Sequence, residues 1–101
     1  MNKIYMLFDN YRFKLIIINT DSKLMSIEDN VFHIDENETK RILEIIDSLS
    51  DSGGRIIFDP VRFSITSDKN GKITTYEGNS NTCSNFSMLD DWIGEMYDKY
   101  I

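Results

Sequence analysis

The stretch Val61-Arg62-Phe63-Ser64-Ile65-Thr66-Ser67-Asp68-Lys69-Asn70-Gly71-Lys72-Ile73-Thr74-Thr75-Tyr76-Glu77 decides how the chain folds. Apolar and polar residues alternate from Val61 to Ile65, the period of a half-buried strand. Asn70-Gly71 then supplies two residues that tolerate positive φ, as a two-residue type I′ turn demands. A hairpin closed there sets Ile65 opposite Tyr76 and Ser67 opposite Thr74, and it gathers Val61, Phe63, Ile65 and Tyr76 on one face. The segment from Thr66 to Glu77 also mimics a calcium loop, with Asp68, Asn70, Gly71, Ile73 and Glu77 at the ligand, turn and apolar positions. Thr66 stands where the first carboxylate ligand belongs, Pro60 and the Val61–Ile65 alternation replace an entering helix, and Gly78-Asn79-Ser80 cannot begin an exiting one. The hairpin explains the same residues without an ion, so no metal site and no cofactor are assigned.

Working outward, Ile4 to Phe8 is continuously apolar, as expected of a strand covered on both faces or lying deep in a sheet. Asp9-Asn10-Tyr11 signals a turn before a second β-branched run, Phe13 to Ile18. Asn19-Thr20-Asp21-Ser22 breaks that run ahead of a short strand, Lys23 to Ile27. Asp29-Asn30 is expected to turn the chain tightly into Val31 to Ile34. Asp35 then fits an N-cap, with Glu38 at capping-box spacing. Ile42, Leu43, Ile45, Ile46 and Leu49 form one helical stripe, which Gly53-Gly54 is expected to stop. Arg55 to Phe58 reads as a strand. After the hairpin, a polar loop from Gly78 to Ser84 leads to Leu89, Trp92, Ile93, Met96, Tyr97 and Tyr100, the stripe of a second amphipathic helix that Ser87 and Asp90 are spaced to cap. The reading is one α+β domain over 1–101, of order ββββαβββα. Its mainly antiparallel sheet has about five to seven strands, with both helices packed against it.

The 101 residues suffice for one core and not for two. Fifteen Ile and twelve aromatics with no Ala make that core bulky and β-branched. A formal charge of −6 argues against contact with nucleic-acid phosphates or an anionic membrane, and it favours a basic partner. Cys83 is the only cysteine, the N-terminal apolar run is too short for a signal peptide, and no apolar stretch reaches membrane-spanning length. These features predict a cytoplasmic protein.

Catalytic chemistry is poorly supplied. His33 is the only histidine and sits between Phe32 and Ile34 on a short strand. Asn81-Thr82-Cys83-Ser84-Asn85 lacks a cysteine-hydrolase signature. Ser52-Gly53-Gly54-Arg55 lacks the Lys-Ser/Thr ending of a phosphate loop. Acids are plentiful: Glu28, Asp29, Asp35, Glu36 and Glu38 near a turn and a helix start, and Asp90, Asp91, Glu95 and Asp98 along the second helix. Some of them serve a helix N-terminus, where carboxylates favour the dipole. Glu28, Asp29, Glu36, Glu38, Glu95 and Asp98 are the residues assigned to partner binding.

Small size, acidity, a composition rich in Ile and Asn and without Ala or Gln, as AT-rich codons would give, and sparse catalytic groups together resemble the immunity proteins of bacterial contact-dependent toxin–immunity systems. The likeness is one of kind over the whole chain, without a shared motif, so no residue carries over. It implies a non-enzymatic protein that binds and neutralises a cognate toxin domain, such as a basic nuclease. The alternatives are a phage-encoded inhibitor that mimics nucleic acid, and a small enzyme using Cys83 or carboxylates.

Overall fold

The computed structural model describes residues 2–53 and 59–101. Strands β1 (Lys3–Asp9), β2 (Leu15–Asn19), β3 (Leu24–Ile27) and β4 (Asn30–His33) form an antiparallel meander. The turns between them are made by residues at positive φ: Asn10 at 62°, Lys23 at 58° and Glu28 at 54°. Ile27 pairs with Asn30, so Glu28 and Asp29 are the two turn residues, one position earlier than Asp29-Asn30. The Glu28 carboxylate accepts the Lys14 amide at 2.5 Å, which ties this turn to the β1–β2 connection.

Helix α1 (Glu36–Ser48) begins as the sequence proposes. Asp35 accepts the Glu38 amide at 2.7 Å, and Glu38 accepts the Asp35 amide at 2.9 Å, a reciprocal capping box. Its end differs from expectation. The chain leaves the helix at Leu49, extended at φ −71° and ψ 133°, and goes directly into β5 (Ser50–Asp51). Leu49 stays in the core while the backbone turns outward to pair with β8 (Cys83–Ser84). Gly53, at φ 71°, therefore serves the turn after β5, where Asp51 accepts its amide at 2.8 Å. Gly54 and the strand expected at Arg55 to Phe58 lie outside the described residues.

The Asn70-Gly71 hairpin forms in the register read from the sequence. β6 (Arg62–Lys69) and β7 (Lys72–Asn79) pair Ile65 with Tyr76 and Ser67 with Thr74, and the two turn residues sit at φ 53° and 87°. β6 also pairs along the whole of β1, giving the six-stranded antiparallel order β4-β3-β2-β1-β6-β7. The two-residue strands β5 and β8 make a separate small ladder. The region expected to be a polar loop thus extends β7 to Asn79 and contains β8.

Helix α2 (Phe86–Tyr100) starts without the anticipated side-chain cap. Asn85 occupies the N-cap in the left-handed region at φ 64° and donates its amide to the Ser48 carbonyl at 3.2 Å, joining the start of α2 to the end of α1. Ser87 falls inside the helix, and Asp90 turns instead to the β1–β2 connection. Leu89, Trp92, Ile93 and Met96 are buried, meeting Ile42 and Ile45 of α1 and the alternate strand residues Ile4, Met6, Ile16, Ile18, Met25, Ile27 and Ile65 in one core. Tyr97 and Tyr100 border it, with Tyr100 stacked on Phe32 of β4 at 4.8 Å.

Both helices lie on one face of the sheet. β1 is central, between β2 and β6, yet it is covered on one side only: Met6 is fully buried while its neighbour Leu7 is 55% exposed.

Beyond its capping role, Glu38 ties α1 to the last turn of α2. It accepts from Lys99 at 3.0 Å and from the Tyr100 hydroxyl at 2.5 Å. Burial alone would raise its pKa. The Asp35 amide, Tyr100 and Lys99 outweigh that and hold it below the usual carboxylate range. A lowered pKa adds stability above the unfolded-state value and loses it as pH falls through the folded one. Glu38→Gln should therefore cost about 1 kcal/mol at neutral pH. The gap to wild type in urea unfolding should close on acidification below the ordinary carboxylate range, and a gap that is constant with pH would contradict this account.

Candidate partner-binding surfaces

One-sided packing leaves the opposite sheet face bare, and strand register determines what it displays. Val31, Ser26, Ile17, Tyr5, Thr66 and Thr75 form one row across all six strands. Leu7 stands opposite Leu15 in the next row towards one end, and Leu24 opposite His33 towards the other. The β1–β4 half is thus apolar: Leu7 is 55% and Val31 66% exposed, with Leu15, Ile17 and Leu24 half-buried between them. The β6–β7 half is mostly polar, with Ser64, Thr66, Thr75 and Glu77. Opposite charges face each other across β1 and β6 near both ends, Lys3 with Asp68 and Asp9 with Arg62. Leu7, Asp9, Arg62, Glu77 and Asn79 border an open depression of about 500 Å³ on this face. An exposed apolar area rimmed by polar and charged groups is uncommon on a monomer and marks a candidate interaction site.

The acids proposed for partner binding do not form one patch. Glu28 and Asp29 occupy the β3–β4 turn, where Glu28 is engaged by the Lys14 amide. Glu36 is exposed at the start of α1. Glu38 and Glu95 share a groove of about 280 Å³ between the helices with Arg41, Trp92 and Lys99. Both Glu38 oxygens are already bonded within the fold, whereas Glu95 is exposed. Asp98 lies on the other flank of α2, close enough for its charge to act on Arg12. Trp92 is fully buried at the base of the inter-helix groove, and its Nε1–H has no partner among the described residues.

Sequence reasoning missed a second cluster because its members lie far apart in the chain. Asp90 accepts a hydrogen bond from the Tyr11 hydroxyl and another from Arg12 at 3.5 Å. The Arg12 guanidinium lies over the Tyr11 and Phe13 rings and so close to Gly94 that a side chain there would strike it. Burial, and then the bond to Asp90, raise the Tyr11 pKa. Arg-Phe flanking in the sequence is the sole local hint of this dock.

His33 and Cys83 are not brought together. His33 is exposed on β4, at one edge of the sheet, and its cross-strand partner is Leu24. Cys83 is buried beside Tyr76 of β7, at the other edge, and accepts the tyrosine hydroxyl at 3.4 Å. Six strands about 4.8 Å apart separate them by on the order of 20 Å. Burial, and then the hydrogen bond to Cys83, push the Tyr76 pKa up to about 12. Among the described residues, no group of three His, Cys, Asp or Glu could hold a metal ion, and no helix is long and apolar enough to cross a membrane. The segment that resembles a calcium loop lies entirely within β6, its turn and β7, without flanking helices.

Two expectations follow from this division of surfaces. Leu7→Lys and Val31→Lys should each change the unfolding free energy by less than about 1 kcal/mol, while Met6→Lys should abolish folding in denaturant titrations, because only Met6 faces the core. Cys83 should react slowly with an aromatic disulfide reagent in buffer and rapidly in denaturant; fast labelling of the native protein would contradict its burial.

No protein-family model, curated protein or solved structure matches the chain.

Proposed function

We propose that this protein is a non-catalytic binding protein of the immunity type, acting in the cytoplasm to occupy and neutralise a basic toxin domain. The observation that carries the reading is the bare half-sheet around Leu7, Leu15, Ile17 and Val31. These side chains are apolar at positions where the core makes no use of them. Water contact with such a surface is unfavourable, and covering it with a partner releases about 25 cal/mol for each Å² removed from solvent. The −6 charge adds attraction at a distance for a cationic partner. Dispersal of the acids over a turn, a groove and a helix flank weighs against nucleic-acid mimicry, which needs charges at regular phosphate-like spacing. The separation of His33 from Cys83 weighs against a thiol–imidazole enzyme.

Co-expression with the product of the neighbouring gene tests the proposal, scored by cell survival and by recovery of a stoichiometric complex. Survival with a complex is expected. Leu7→Lys or Val31→Lys should speed dissociation, because anchors at an interface control the off-rate. Neutralising Asp29 or Glu95 and Asp98 should slow association and flatten its salt dependence, since screening limits exposed charges to about 8 Å at physiological ionic strength. Survival without a complex, or protection lost in a folded Cys83→Ser variant, would sink the binding role in favour of catalysis.

A further inference from the structure

The two edges of the main sheet are finished differently. β4 has four residues, and its Phe32 is stacked beneath Tyr100. β7 has eight, pairs with β6 at every position from Lys72 to Asn79 without a bulge, and contains no proline. Among the described residues nothing pairs with its outer side. Long, regular edges of this kind are normally shortened, bulged, interrupted by proline or covered, because their free amides and carbonyls recruit another strand.

Register identifies which groups are free. In a hairpin closed by a two-residue turn, the flanking residues Lys69 and Lys72 exchange both hydrogen bonds, and bonded pairs then alternate with unbonded ones. Lys72, Thr74 and Tyr76 therefore bond inward to β6, while the backbone groups of Ile73, Thr75 and Glu77 point outward. Alongside the edge, on the helix side, Leu43, Ile46, Ile65 and Tyr76 line a groove of about 150 Å³ between α1 and the hairpin. Its charge is polarised. Lys69 and Lys72 stand at the turn end. Asp47, in the last turn of α1, also lines the groove, and towards the other end Asp51 is close enough for its charge to act on Tyr76.

We infer that β7 is the dimerisation edge of this protein, pairing antiparallel with β7 of a second copy about a two-fold axis at Thr75. A perpendicular two-fold axis keeps both pairs of helices on the same side, and this requires residues of equal parity to face one another. Centring on Thr75 does so, and it lets the outward groups of Ile73, Thr75 and Glu77 bond with Glu77, Thr75 and Ile73 of the copy. Antiparallel pairing also brings each turn end, with Lys72, to the acidic end of the other copy, with Asp51. The edge is thus complementary to itself. Pairing is isologous and closed, since it uses up both long edges and leaves only the short β4 edges outside. The net charge of −6 does not prevent it: Glu28 and Asp29 lie at the far edge, well over a screening length of about 8 Å away, and Glu77 at the seam faces the apolar Ile73 of the copy rather than a like charge. The dimer carries one continuous bare face and two apolar patches, and so offers two partner sites.

Sedimentation equilibrium across concentration, with amide exchange at Ile73, Thr75 and Glu77, tests the inference. A reversible dimer is expected, in which these three amides gain protection as dimer forms. Thr75→Pro removes an outward amide without touching the inner ladder, and Lys72→Glu sets like charges together at each end. Each should weaken dimerisation about tenfold or more. Lys72→Glu alters an exposed turn-flanking residue and should leave the melting of the dilute monomer unchanged, so it decides the matter even if Thr75→Pro fails to fold. A monomer at all concentrations with exchanging amides would overturn the inference. So would a monomer with those amides already protected, which would give the edge to another segment of the same chain, or a dimer indifferent to Lys72→Glu.

Discussion

The apolar contact between alternate strand residues and two helical stripes is the interaction on which the remaining structure depends. Ile16, Ile18, Met25 and Ile65 point to one side of the sheet, where Ile42, Ile45, Leu89 and Trp92 meet them. With no alanine in the chain, every one of these contacts is made by a large side chain. Loss of a single one leaves a cavity that its neighbours cannot easily fill. Helix placement on this layer is then fixed by a few polar links. Asn85 bonds the end of α1, Glu38 joins α1 to the last turn of α2, and Asp90 holds the β1–β2 connection against α2.

Because both helices are used on one side, the second side of the sheet is covered by neither helix. This is the physical origin of the proposed function. The strand residues there are free of core demands, yet Leu7, Leu15, Ile17 and Val31 remain apolar. Charge acts at longer range and less specifically, because the acids are spread around the molecule and several are engaged within it.

Much of the architecture was legible in the sequence because local rules and global packing agree there. The Asn70-Gly71 turn fixed register to the residue, Asp35 and Glu38 fixed a helix start, and spacing fixed both buried stripes. Failures occurred where tertiary contacts overrode local chemistry. Gly53 looked like a helix stop, but Leu49 is drawn into the core and the strand pairing of Ser50 ends α1 earlier. Ser87 and Asp90 looked like caps, but Asp90 is taken by Tyr11 and Arg12, and a left-handed Asn85 starts the helix. The continuous apolar run Ile4 to Phe8 could not reveal that only one of its faces is covered, since a bare apolar face and a buried one have the same composition. For the same reason the sequence points to the acids as the candidate surface and not to the sheet.

Strict alternation along β1 has a consequence for how such a protein can change over generations. Ile4, Met6 and Phe8 are confined by the core, while Tyr5, Leu7 and Asp9 between them are not. Under the proposed function, substitutions at the second set would alter what the molecule recognises at little expense in folding, so a run of viable intermediates would connect one specificity to another. Stability and, under that proposal, recognition are carried on interleaved residues of the same strand, so a lineage could exchange partners while its scaffold stays unaltered.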